Sequence, residues 1–153
     1  MPAAEDTPVI VAERYKYILQ QIHTVNENVY RFLAIFQALV TAIVTAALAL
    51  FVSYSKWGIS PSTARTGVTG LLILATVIAA FTVLLVVVGV LSWLDYRREE
   101  CELTARYFEP GFRSPPRLRN FYRWYETYVI VFIVASIITI WVLGEVLLIP
   151  KIK

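Results

Sequence analysis

Three long stretches of this chain hold no charged residue. Phe32 to Ser55 gives 24 such residues between Arg31 and Lys56. Thr66 to Leu94 gives 29 between Arg65 and Asp95, and Thr127 to Gly144 gives 18 between Glu126 and Glu145. A helix needs about 20 mostly apolar residues, each rising about 1.5 Å, to cross the hydrocarbon core of a bilayer. The pattern predicts three membrane-spanning helices, the third either somewhat shorter or pierced near its end by Glu145. Composition agrees: 58% of the 153 residues are hydrophobic and 16% charged, with a mean hydropathy of +0.65. A soluble domain carries roughly a quarter charged residues. The longest segment outside the stretches, about 30 residues, is too short to fold unaided. A soluble enzyme with its own core is thereby excluded.

Charge sets the expected orientation. Glu5, Asp6, Glu13 and Glu27 fall within the first 28 residues, with no short apolar core before a small-residue cleavage site. The first span is thus expected to act as its own insertion signal. Lys and Arg in short loops favour the cytoplasm. Arg14, Lys16 and Arg31, with the seven arginines between spans two and three, put ten on one side; Lys56, Arg65, Lys151 and Lys153 put four on the other. This predicts a cytoplasmic N-terminus and an outer C-terminus. Ten of the eleven carboxylates, all but Glu145, share the arginine-rich side, so its net charge is near zero. The pI of 9.1 therefore overstates any attraction for polyanions. Cys101 is the single cysteine and offers no disulfide framework.

Local signals extend two of the spans. Asp6-Thr7-Pro8 reads as a helix start, with Thr7 as N-cap and Pro8 at the first helical position. From there Val11, Tyr15, Ile18, Ile22, Val25, Val29, Phe32, Phe36, Leu39 and Ile43 recur at alternating intervals of four and three. That is a heptad seam. It runs into the first span with no Gly or Pro between Val9 and Trp57. One long helix is expected, and its seam needs a partner: the same helix of another subunit, or the cytoplasmic end of span two. Asp95 to Phe108 also lacks Gly and Pro, and Glu102 precedes Arg106 by four, the favourable helical order. Span two is thus expected to continue into the cytoplasm until Glu109-Pro110-Gly111 breaks it. The chain divides into an N-terminal amphipathic helix (1–28), a first span (29–55), an outer loop (56–66) and a second span (67–94). A helix extension with a basic-aromatic connector (95–124), a third span (125–149) and an outer tail (150–153) follow. The fold class is an all-α membrane protein with two helices extended into the cytoplasm.

Candidate chemistry is sparse. Gln37, Thr41, Thr45, Ala49 and Ser53 repeat every four residues, beside Ala34, Ala38, Ala42 and Ala46. Such a stripe either packs helices closely or lines a pore, where hydroxyls and an amide replace part of an ion's water shell. Packing is the commoner use. Glu145 is either a carboxylate at the outer mouth of a pore or an interfacial residue paired with Lys151, Lys153 or a neighbour's Arg65. Arg97, Arg98, Arg106, Arg113, Arg117, Arg119 and Arg123 are interleaved with aromatics: Tyr107, Phe112, Phe121, Tyr122 and Trp124. The mixture either anchors the chain at anionic headgroups or binds a nucleotide or short oligonucleotide. His23 is the only histidine and is not a metal site by ligand count. No HExxH, GxSxG or Walker loop occurs, and no enzyme, metal or cofactor is expected.

Some segments carry a resemblance. Ser92-Trp93-Leu94-Asp95-Tyr96-Arg97-Arg98-Glu99-Glu100 closes span two. Gly111-Phe112-Arg113-Ser114-Pro115-Pro116 and Asn120-Phe121-Tyr122-Arg123-Trp124-Tyr125-Glu126 lead into span three. This layout resembles the small multi-span membrane effectors of bacterial antiphage defence operons, such as the channel subunit of the Hailong system. The likeness is architectural and covers most of the chain. It implies a homo-oligomeric pore in a bacterial inner membrane, governed by a nucleotide-derived ligand. Three helices enclose no water path of their own, so a bundle of several copies in cyclic symmetry is expected. Two functions follow. One is an ion channel lined by Gln37, Thr41, Thr45 and Ser53, with Glu145 near the outer mouth and the seven arginines as ligand site. The other is a non-conducting scaffold whose N-terminal helix recruits a cytoplasmic protein. A proton-coupled transporter using Glu145 fits less well, because transport carboxylates lie near the midplane.

Overall fold

A computed structural model describes residues 7–108 and 111–153. Asp6 of the expected helix start and the Glu109-Pro110 breaker lie outside the described residues. Helix α1 spans Thr7–Ser53, α2 spans Pro61–Tyr107 and α3 spans Tyr125–Leu143. A short 3-10 turn, Leu118–Arg123, leads into α3; a π turn, Gly144–Leu148, and a 3-10 turn, Ile149–Lys151, continue it. No strand occurs among the described residues. All three helices are long and apolar enough to cross a membrane, the architecture of a multi-pass membrane protein. The first two have 47 residues each, about 70 Å at 1.5 Å per residue. That is more than twice the ~30 Å hydrocarbon thickness. Their charged ends therefore reach well beyond their apolar stretches.

The connection between α1 and α2 is tight, and each of its bonds is traceable to sequence. Gly58 takes φ +67, a left-handed conformation that costs glycine little. The Ile59 N–H donates to the Tyr54 carbonyl at 2.9 Å, and the Gly58 N–H to that of Ser55 at 3.3 Å. This is a Schellman cap, which satisfies two orphan carbonyls of α1. Two residues later Ser60 caps α2, accepting the Thr63 N–H at 3.2 Å, with Pro61 at the first helical position. Helix α2 thus begins inside the 56–66 segment expected as a loop. Ser-Pro is itself a helix-start signal.

The two long helices pack antiparallel along their whole length. Leu50 fills the room that a Cβ on Gly67 would need. Phe36 meets Ala79, Val25 and Val29 flank Gly89, and Arg14 pairs with Glu99. Among the described residues, then, the seam is covered by α2 of the same chain. Ile18 and Val29 are buried; Val11, Tyr15, Ile22 and Val25 are half-buried. Near the middle of α1 the buried line leaves the heptad. Leu39 is 44% exposed while Val40 is 8% exposed. A straight helix drifts by roughly 20° per heptad against a seven-residue repeat, which hands the contact to the next residue after four heptads.

Helix α3 leans on α2. Ile133 is buried with Phe36, Val40 and Ala79 where the three helices meet. Further along, the Trp141 indole N–H donates to Thr76 Oγ1 at 2.8 Å. The C-terminal end is fastened beside the tight turn: Ile152 is buried with Ala64, Val68 and Leu72. Arg65 donates through Nε and Nη2 to the Ile152 carbonyl, at 3.0 and 2.6 Å, and the Tyr54 hydroxyl donates to that of Lys153 at 3.0 Å. The outer surfaces stay apolar, with Ile73, Val77, Phe81, Leu84 and Val88 exposed on α2. A helix apolar all round suits lipid.

Candidate functional site

The polar stripe of α1 lies on the outside of the three-helix bundle. Gln37, Thr41 and Thr45 are exposed, as are Ala34, Ala38, Ala42, Ala46 and Ala49; Ser53 is half-buried. The Thr45 hydroxyl is spent on the Thr41 carbonyl at 2.8 Å. Gln37 and Thr41 do not stand alone. They share a groove of about 310 Å3 between α1 and α3 with Ser136 and Thr139. Those two hydroxyls donate to the Phe132 and Ala135 carbonyls, at 2.8 and 2.9 Å. Each such hydroxyl still presents lone pairs, and the Gln37 amide adds two donors and an acceptor. The groove thus sets a few polar atoms among mostly apolar walls, Phe36, Val40, Phe132 and Ile140 among them, at the level of the apolar stretches. Toward the tight turn it gives way to a wholly apolar cleft of about 210 Å3, lined by Ile43, Ala47, Leu72, Leu143 and Leu147 among others.

Glu145 sits exposed in the π turn after α3. The ion pairs among the described residues do not include it. Arg65 is turned instead to the Ile152 carbonyl.

The seven arginines are not gathered at one place. Arg97 and Arg113 converge on Glu100, whose side chain is fully buried; the Arg113 Nε is 3.2 Å from Oε1. Oε1 nonetheless has no donor aligned on it, and neither has the Arg97 Nε an acceptor. The cluster is charge-paired but short of hydrogen bonds. It draws the connector back against α2, helped by Phe112, which stacks on Phe108 with centroids 6.1 Å apart. Arg98 lies 4.0 Å from Asp95. Arg106 lies over the Tyr107 ring. Arg117 and Arg119 are exposed, and Arg123 lines a separate cavity near Trp93. Elsewhere on the charged end His23 pairs with Glu27 at 3.3 Å. Glu13 raises the Lys16 ammonium above its ordinary pKa, first by a hydrogen bond and then by charge. Among the described residues no three His, Cys, Asp or Glu are grouped as metal ligands would be.

Sequence reasoning passed over Glu100, Ser136 and Thr139. Glu100 reads as one more charge in a charged run. Continuing the buried period of α2 past Leu94 places Glu100 and Thr104 on the buried face. Ser136 and Thr139 are three apart in an otherwise apolar run, which puts them on one face. Compared with models of known protein families, with curated proteins and with solved structures, the chain matches none. The class the fold defines is an all-helical, three-span membrane protein.

Proposed function

We propose that this protein is a homo-oligomeric ion channel of the bacterial inner membrane. The supporting observation is the groove in which Gln37 and Thr41 of α1 meet Ser136 and Thr139 of α3. Polar atoms at that depth face outward from a bundle too small to enclose water. Bringing several copies together around an axis gives them a common aqueous lumen. Glu145, exposed and free of ion pairs among the described residues, then stands near the outer mouth. The excess of arginine and lysine on the opposite side supports a cytoplasmic position for the far ends of α1 and α2. There Arg106, Arg117 and Arg119, unpaired with carboxylates among the described residues, are the arginines free to meet a nucleotide or short oligonucleotide. The resemblance to antiphage membrane effectors supports a ligand that shifts the open fraction by binding one state better.

One observation favours the scaffold reading. Val9, Ile10, Tyr17 and Leu19 are exposed on α1, beyond its apolar stretch. They suit a cytoplasmic protein partner. Planar-bilayer recording of the purified oligomer separates the readings. A channel gives discrete current steps, and Gln37→Leu with Thr41→Val changes their conductance or selectivity. An intact oligomer that stays silent, with and without oligonucleotides, refutes the channel and leaves the scaffold.

A further inference from the structure

A cavity of about 270 Å3 lies where the three helices meet near Trp93. It is lined by Asn26, Trp93, Arg123, Trp124, Tyr125 and Glu126. Small-ligand pockets begin at about 300 Å3, so the space suits a headgroup better than a whole metabolite. Its walls hold one cation, Arg123, and one carboxylate, Glu126. Neither is in an ion pair among the described residues. The aromatic walls are held in place. Trp93 and Trp124 meet edge-on with centroids 5.5 Å apart, and Tyr125 stacks on Tyr30 at 5.4 Å. The Tyr125 hydroxyl donates to the Asn26 carbonyl at 3.3 Å.

Depth narrows the choice of ligand. Trp93 is the penultimate residue of the charge-free stretch of α2, and Glu126 immediately precedes that of α3. Trp and Tyr concentrate at the level of lipid headgroups. An anion placed here meets Glu126, and a simple cation meets Arg123. A group that carries a phosphate and an ammonium together satisfies both.

We propose that this cavity holds the headgroup of a zwitterionic phospholipid, with its phosphate on Arg123 and its ammonium on Glu126. The acyl chains lie in the bilayer. The inference needs the helices to cross a membrane; it does not need the protein to conduct.

Native mass spectrometry of the full chain tests it, with phosphatidylethanolamine, phosphatidylglycerol and soluble phosphoethanolamine as probes. Phosphatidylethanolamine should bind about tenfold more tightly than phosphatidylglycerol, as one extra charge-assisted contact implies. Glu126→Gln should erase that preference, and Arg123→Gln should weaken both lipids. Hydrogen exchange of the unaltered protein gives a second readout, in which phosphatidylethanolamine slows exchange around residues 121–127 more than phosphatidylglycerol does at equal concentration. Equal or tighter binding of phosphatidylglycerol overturns the assignment, and so does a preference that survives Glu126→Gln. Soluble phosphoethanolamine binding as tightly as the lipid overturns the membrane source. Exchange unaffected by phosphatidylethanolamine overturns the site.

Discussion

The buried Glu100 carboxylate makes a prediction whose size follows from its surroundings. Two arginines reach it, but they do different work. Arg97 lies three residues away on the same helix, so its pair with Glu100 fastens nothing new. Arg113 belongs to the connector and joins it to α2. Its side chain is 44% exposed, which screens the pair and puts its worth near that of a good surface ion pair, about 1 kcal/mol. Losing it should raise the population of undocked connector about fivefold. Trypsin cleavage after Arg117 and Arg119 reads that population when opening is fast relative to cleavage. Glu100→Gln keeps the shape of the side chain and removes its charge, so it should speed cleavage about fivefold. Arg113→Gln should do the same, and the double variant should be no faster than either, because both remove one interaction. High salt should speed the unaltered protein toward the variants. A double variant cleaved about 25-fold faster, the product of two independent effects, would refute the reasoning. So would Glu100→Gln cleaved at the original rate.

Two further outcomes test other parts of the fold. Trp141→Phe removes the indole donor to Thr76 Oγ1 and should lower stability in detergent by about 0.6 kcal/mol, the usual worth of an interhelical bond in a membrane protein; an unchanged unfolding midpoint would show that bond to be idle. Ser60→Ala removes the N-cap of α2 and should cost about 1 kcal/mol, with Ser60→Gly milder, measured by hydrogen exchange of the first turn after Pro61.

The three helices were legible because lipid imposes a coarse rule: length without charge. The tight turn was legible in part. Ser60-Pro61 announces a helix start, but polar residues between two spans also read as loop. The seam announced a contact without naming its partner, since a heptad records that a helix is covered and not by which chain. Its end was misplaced by one residue at Leu39, because a repeat of seven and a turn of 3.6 fall out of step. Glu100 was hidden by its neighbours. Sequence shows charge, whereas burial of that charge depends on α1 lying over α2 as far as Arg14. The groove was half visible: α1 displayed its stripe, while Ser136 and Thr139 gain meaning only once α3 is set beside it.

The continuity of α1 has a mechanical consequence. Helices bend sharply at proline, at Gly/Ser pairs or at π bulges, and none of these interrupts Thr7–Ser53. A shaft without a joint transmits torque. When something turns the far tip of α1, the face bearing Gln37 and Thr41 turns through the same angle, about 45–50 Å away by helical rise. Because α2 packs against α1 along its whole length, a turn of that tip carries α2 with it.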